Sequence, residues 1–180
     1  MHRTTIISAL SLVAAGLLLA ANAVAGPKGK GDDRIKVHLR GFEEAPVVVT
    51  GASGDLHLTI DDAAGTIAYE LSYENLEGDV TQAHIHVGQK NVSGGIAIWL
   101  CKTGLVTVPP AVPASTPTCP GPRSGTVSGT VDSTAVIGPT GQGVPAGDMD
   151  DVIAAIRAGK AYGNVHSLVA PSGEVRGQLH

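Results

Sequence analysis

The sequence predicts an all-β domain, an antiparallel β-sandwich or barrel with one short helix. About eight short segments alternate apolar and polar residues, the pattern of half-buried strands, and turn residues separate them. The chain has 24 glycines but only one Trp and one Phe. Its core must therefore be built mainly from aliphatic residues and tyrosine.

The N-terminus has the anatomy of a secretory signal peptide. A basic start, "MHR", precedes the apolar run "IISALSLVAAGLLLAA", and "ANAVA" offers small residues before a cleavage point after Ala25 or Ala23. The run is shorter than the roughly 20 residues of a membrane-spanning helix. We therefore expect a signal peptide over 1–25, a flexible leader over 26–33 and one domain over 34–180. The mature protein is expected to be secreted or periplasmic and to carry no membrane anchor.

The charge balance is acidic. The chain has 12 Lys and Arg against 16 Asp and Glu, a net charge of −4. Removal of residues 1–25 takes away only Arg3 among these groups, so the mature chain is one charge more negative. No basic stripe is present, which argues against a nucleic-acid partner.

The strands follow the leader in order. The first is predicted at "RIKVHLRG", and "GDLHLTID" and "TIAYELSYENL" flank the turn residues "DDAAGT", as in a hairpin. Further strands are predicted at "DVTQAHIHVG", "GIAIWLC", "GTVSGTVDS", "AYGNVHSLV" and "EVRGQL".

One segment, "GDMDDVIAAIRAGK", has helical spacing and predicts a helix over about 148–158. Its apolar residues recur at i, i+3, i+4 and i+7: Met149, Val152, Ile153 and Ile156. Asp148 is suited to cap the first turn, and Gly159 suits a left-handed stop. The acidic cluster 148–151 could instead bind a cation, but capping is the better interpretation.

Cys101 and Cys119 are the two cysteines and enclose the stretch "KTGLVTVPPAVPASTPT". An exported protein meets oxidising conditions, in which two cysteines usually pair. A thiolate metal site or a redox pair is the alternative, but CxxC spacing is absent. The sequence favours a structural disulfide.

Several segments in order resemble the CHRD domain, first recognised in chordin. They run from "LRGFEEAPVVVTGASGDLHLTI" through "AHIHVG" to "AYGNVHSLVAPSGEVRGQL" and cover roughly residues 34–179. The resemblance implies an immunoglobulin-like β-barrel with a distant similarity to Cu,Zn superoxide dismutase. It also implies a secreted protein, since in chordin these domains belong to an extracellular antagonist of growth factors. It implies no particular activity.

The motif "HIH" is the first candidate site. Alternate residues of a strand share a face, so His84 and His86 lie on one side with their Cα atoms roughly 6.6–7 Å apart. Two imidazoles at this spacing can converge on one metal ion. Such a motif is common, so by itself it is weak support for a site.

His166, in "YGNVHS", is the third candidate ligand. In the dismutase to which the family is similar, an HxH strand and a late histidine both bind metal, so His84, His86 and His166 could form one three-nitrogen site for copper or zinc. No histidine lies between His86 and His166, so the bridging ligand and second metal site of that enzyme cannot be assembled there. Polar residues that could orient the rings are Gln82, Asn164, Glu174 and Arg176. The alternative is a buried hydrogen-bond network that fixes the terminal hairpin against the HIH strand.

The sequence is consistent with three candidate functions. The favoured one is a non-catalytic binding module with an unidentified extracellular or periplasmic ligand. The second is an exported copper- or zinc-binding protein that uses the three histidines. A dismutase-like oxidoreductase is weaker because the middle histidines are missing. No GxSxG motif is present and no Ser–His–Asp set can be recognised, so we do not expect an enzyme.

Overall fold

The computed structural model describes residues 34–180, and the predicted signal peptide and leader lie outside the described residues. The regular elements are β1 (Arg34–Arg40), β2 (Ser53–Asp61), β3 (Thr66–Glu74), β4 (Val80–Val87), β5 (Gly95–Lys102), β6 (Gly125–Val131), α1 (Met149–Arg157), β7 (Ala161–Ser167) and β8 (Val175–Leu179). Short 3-10 turns lie at Gly41–Glu43, Ser133–Ala135 and Thr140–Gln142.

The eight strands form one sheet in the order β5-β4-β7-β8-β1-β2-β3-β6. Every pairing of these strands is antiparallel. The edge strands β5 and β6 approach each other, which nearly closes the sheet into a barrel. The predicted all-β fold with one short helix is confirmed. The order also makes β4 and β7 neighbours, although they are far apart in sequence.

Alternation of side chains explains the core. On β2 and β3 the apolar positions are buried and the intervening ones face outwards. The core is aliphatic with two tyrosines, Tyr69 and Tyr73. The Tyr69 hydroxyl donates to the carbonyl of Leu100 at 2.7 Å, so this polar group is satisfied inside the barrel.

The helix is built as its sequence predicts. The carboxylate of Asp148 accepts a hydrogen bond from the backbone N–H of Asp151 at 3.0 Å, which is the expected cap. The four apolar residues of the helix are buried. Gly159 follows the helix with φ of +66°, a conformation that favours glycine. None of the helices in the part of the chain from Arg34 onwards is long and apolar enough to cross a membrane.

Cys101 of β5 and Cys119 are joined by a disulfide, and both are buried. The bond closes the loop of residues 102–118 back onto β5. Backbone hydrogen bonds support this closure, from the N–H of Lys102 to the carbonyl of Pro117 at 3.0 Å and from the N–H of Cys119 to the carbonyl of Lys102 at 3.1 Å. The loop and the side chain of Trp99 line a common cavity.

Candidate metal centre

Three histidines lie together on the face of the β4–β7 pair that points away from the hydrophobic core. Ile85, between two of them, is fully buried in that core, so His84 and His86 point to the opposite side. In the antiparallel register Gln82 lies opposite His166, and His84 lies opposite Asn164. The pairing of β4 with β7 is what brings His166 to the HIH motif.

The three rings converge. One ring nitrogen from each of His84, His86 and His166 lies within 4.8 Å of the others. Nδ1 of His84 is 3.1 Å from Nε2 of His166. The residues are 0%, 8% and 6% exposed, respectively. The predicted convergence is therefore present in the structure, while metal binding itself stays a prediction.

Backbone carbonyls hold two of the rings. Nδ1 of His86 is 3.0 Å from the carbonyl oxygen of Gly94, and Nδ1 of His166 is 2.9 Å from that of Pro171. A carbonyl can only accept, so both Nδ1 atoms carry the proton. In the neutral rings the lone pair is then on Nε2, the atom that a metal would use.

Two aromatic side chains wall the site. Trp99 of β5 meets His84 edge to face, with ring centroids 4.3 Å apart. Tyr162 of β7 stacks on His86 at 4.7 Å with an interplanar angle of 7°. The guanidinium of Arg176 lies 3.4 Å from the centroid of the Tyr162 ring, a cation–π contact.

The comparisons with known proteins give one match. The family model described as the CHRD domain matches residues 35–179. The chain belongs to the CHRD domain family. No curated protein and no solved structure matches it.

In this CHRD domain, three of the four residues predicted to orient the histidine rings hydrogen-bond to other groups. Gln82 is half-buried on β4, and the amide of Asn164 donates to the Glu44 carboxylate at 2.6 Å. Arg176 donates to the carbonyls of Val92 and Gln89, each at 3.0 Å. None of these hydrogen bonds is to a histidine ring. The rings are oriented instead by backbone carbonyls and by contacts with aromatic side chains.

Glu174 belongs to a separate buried network. Its carboxylate accepts from the Thr50 hydroxyl at 3.0 Å, from the backbone N–H of Glu77 at 2.7 Å and from the Ser167 hydroxyl. These bonds tie the terminal hairpin to two loops. The network around Glu174 therefore lies beside the histidines, and its bonds run to loops and to Ser167 rather than to the HIH strand.

Glu44, which the sequence pattern does not identify, is the buried acceptor of the hydrogen bond from Asn164. Burial raises the pKa of this carboxyl to about 7, although Arg176 and the hydrogen bond from Asn164 lower it. Glu44 lies in the loop after β1, where no strand or helix period marks a buried position. Only its burial in the folded chain reveals it.

The histidines are held neutral at physiological pH. Burial lowers the pKa of His86 to about 4, and it also lowers the pKa of His166. For His84, burial lowers the pKa well below its ordinary value, with further lowering by the other two rings. Neutral imidazoles have lone pairs available for a metal.

Two of the ring nitrogens lack a hydrogen-bond partner. Nε2 of His84 and Nε2 of His86 are buried without a hydrogen-bond partner among the described residues. A buried polar atom left unpaired costs about 1–3 kcal/mol. A metal ion bound by Nε2 of His86 would satisfy that atom. Between residues 34 and 180 these three histidines are the one group of His, Cys, Asp and Glu side chains with convergent ligand atoms.

Proposed function

We propose that this CHRD domain is an exported metal-binding module that holds one copper or zinc ion between His84, His86 and His166. The observation that carries the proposal is the convergence of one nitrogen from each buried ring within 4.8 Å. Nitrogen ligands of this type suit copper and zinc. The fixed Nδ1 protons of two rings support it further, because they leave Nε2 free to bind.

Export is the part of the proposal that rests on the sequence. The signal-peptide anatomy of residues 1–25 predicts cleavage after Ala25 or Ala23. The bond between Cys101 and Cys119 is of the kind that persists in oxidising compartments. We place the mature domain in the periplasm or outside the cell.

The proposed role is binding rather than catalysis. A catalytic metal keeps one coordination position open to substrate, whereas the three histidines are at most 8% exposed. A dismutase-like function is the weakest candidate because the histidines that would bridge to a second metal are missing from the sequence between His86 and His166.

Metal content tests the proposal. The mature protein is stripped with a chelator, incubated with one equivalent of Cu or Zn, desalted and analysed for metal. We expect about one ion per chain for the wild type and a near-complete loss for His84→Ala. His57→Ala is the matched control, because His57 lies on β2 away from the site with its side chain 43% exposed, and it should retain the ion. Equal metal content in wild type and His84→Ala would contradict the proposal.

A second candidate is a protein-binding module, supported by a cleft of about 280 Å³ between residues 44–50 and 169–174. Val49 and Val169 line it and are 83% and 67% exposed; exposed apolar surface of this kind is typical of interaction sites. Glu44 and Glu174 also line the cleft. The exposed valines favour a peptide segment with apolar side chains that pack on them.

A peptide titration tests this second candidate. A peptide with several valines should shift the NMR signals of residues 44–50 and 169–174. The same peptide with the valines replaced by serine is the matched control and should bind several-fold more weakly. Equal binding of the two peptides, or no shift with either, would contradict it.

A further inference from the structure

We infer that the three-histidine site selects monovalent copper over divalent zinc and copper. This inference rests on the proposed metal-binding function. It is carried by three features of the site: the number and type of donor atoms, their closure from solvent, and the positive charge beside them.

The donor atoms follow from the hydrogen bonds. Carbonyls fix the Nδ1 protons of His86 and His166, so these two residues offer Nε2. His84 presents Nδ1, which lies 3.1 Å from Nε2 of His166. Without metal, the Nδ1 proton of His84 can be donated to that nitrogen. With metal bound, His84 remains neutral by carrying its proton on Nε2 instead.

The spacing requires only a small adjustment. Three nitrogens bound to one ion at 2.0–2.1 Å in a plane are about 3.5–3.6 Å apart. One nitrogen of each ring lies within 4.8 Å of the others, so the widest pair closes by about 1.3 Å or less. Rotation of a ring provides such a movement.

The donor set ends at three nitrogens. Neither a carboxylate nor a thiol joins the group among residues 34–180, and both cysteines are in the disulfide. Zinc takes four ligands, with water completing a site of three protein ligands, and Cu(II) favours a tetragonal arrangement. Because the three histidines are almost fully buried, little room is left for water. Cu(I) has a filled d shell and is stable with three nitrogens in a plane.

The electrostatic surroundings of the site favour a monovalent ion over a divalent one. The rings are neutral, so a bound ion brings its full charge into a buried site. The cost of burying charge grows with its square, and is about four times larger for a divalent than for a monovalent ion of the same size.

Arg176 adds to this difference. Its guanidinium lies 3.4 Å from the centroid of the Tyr162 ring, which stacks on His86, so a positive charge lies beside the site. The repulsion between Arg176 and a bound ion doubles from a monovalent to a divalent ion. The Glu44 carboxyl offsets the charge of Arg176 only in part, because its own pKa is raised to about 7.

Competition experiments test the selectivity. Cu(I) is presented anaerobically to the metal-free mature protein as its bicinchoninate complex, and Zn(II) is presented against a chromogenic chelator at the same pH. We expect a Kd for Cu(I) at least 100-fold below that for Zn(II). Ag(I), a monovalent ion with the same filled shell, is an air-stable probe. It should change the fluorescence of Trp99, the one Trp of the chain, at one equivalent.

The outcomes separate this inference from the proposed function. Zinc bound as tightly as Cu(I) would overturn the selectivity and leave the metal-binding function standing. Failure of Cu(I), Cu(II) and Zn(II) to bind would overturn both. The His84→Ala variant corrects for binding at other histidines.

A change at Arg176 tests the effect of the neighbouring charge. Arg176→Gln should narrow the ratio of the two Kd values by at least about fivefold, whereas Lys36→Gln, an exposed cation on β1, should leave it unchanged. A folded Arg176→Gln protein with an unchanged ratio would contradict the role of Arg176. If this variant does not fold, the ratio measured on the wild type decides alone.

Discussion

Histidines occupy two regions on the outward side of the sheet, the open face of β1 and β2 and the covered face of β4 and β7, and the two regions differ in what covers them. On β1 and β2 the side chains of His38 and His57 are 42% and 43% exposed, with carboxylates of Asp55 and Glu70 at 3.0 and 4.0 Å. On β4 and β7 the three histidines of the candidate metal centre are at most 8% exposed and have no carboxylate in their group. Strand alternation sets the direction of a side chain, but the covering groups decide its chemistry.

The cover of the β4–β7 face comes from several parts of the chain. Trp99 and Tyr162 supply aromatic walls, and the carbonyls of Gly94 and Pro171 hold the rings. The loop closed by the disulfide lies beside Trp99. Substitutions among these covering groups, and matched substitutions on β1 and β2, test whether the cover accounts for the difference between the two sets of histidines.

The largest effect is expected from the disulfide. Replacement of both Cys101 and Cys119 by serine should lower the free energy of unfolding by about 3 kcal/mol, because it frees a loop in the unfolded chain. Urea denaturation of the wild type and the double variant measures the difference. A loss below about 1 kcal/mol would show that the bond does not stabilise the covered face.

Acid should destabilise the covered face by a similar amount. The pKa of His86 is lowered to about 4 in the folded state, against about 6.5 in the unfolded chain. The unfolded state therefore takes up the proton first as pH falls. The contribution of neutral His86 is fully present above pH 6.5, and about 3 kcal/mol is lost between pH 6.5 and 4.

The comparison of wild type with His86→Gln isolates this loss. Glu44 titrates with the opposite sign in the same range, since its raised pKa makes stability fall as pH rises from about 4.5 to 7. Both proteins contain Glu44, so its effect cancels in the difference between their unfolding free energies. His57→Gln, changed on the open face, should follow the wild type. A constant difference between wild type and His86→Gln from pH 4 to 7 would contradict burial of this ring.

A smaller effect is expected from the Tyr162 hydroxyl. It accepts a hydrogen bond from the backbone N–H of Gly94 at 3.0 Å. Tyr162→Phe keeps the ring stacked on His86 and should cost about 1 kcal/mol of unfolding free energy, with metal stoichiometry unchanged. Loss of metal binding in this variant would show that the hydroxyl, rather than the ring, supports the site.

The smallest effect is expected on the open face. His38→Ala removes the exposed contact with Asp55, which should cost at most about 1 kcal/mol. Thermal unfolding at neutral pH measures it. A loss above about 2 kcal/mol would mean that the open face contributes more to stability than its exposure indicates.

Much of the fold could be predicted because local patterns determine it. Period-two alternation marks the strands, as in "GDLHLTID", and the single helical spacing marks α1 with Asp148 as its cap. The strand order could not be predicted in this way, because the pairing of β4 with β7 depends on the whole barrel. The family resemblance indicated only that His166 belongs to the same barrel as the HIH motif.

The candidate ligands of the site could be predicted from the sequence, but the groups that hold and cover the histidine rings could not. HxH places two imidazoles on one face, and the family resemblance added His166. The position of Trp99 opposite His84 depends on register shifts between β4 and β5, which no periodicity reveals. The carbonyls of Gly94 and Pro171 come from loops and carry no residue-type signal. Asn164, Glu174 and Arg176, which were predicted to orient the rings, hydrogen-bond to other groups instead.

The most direct test of the account is X-ray absorption spectroscopy of the metal-loaded mature protein. Three imidazole nitrogens are predicted at about 2.0–2.1 Å from the ion, and the His166→Ala variant should show two or lose the ion. An oxygen-rich shell in the wild type, or three imidazoles retained in His166→Ala, would contradict the convergence of His84, His86 and His166 on one metal.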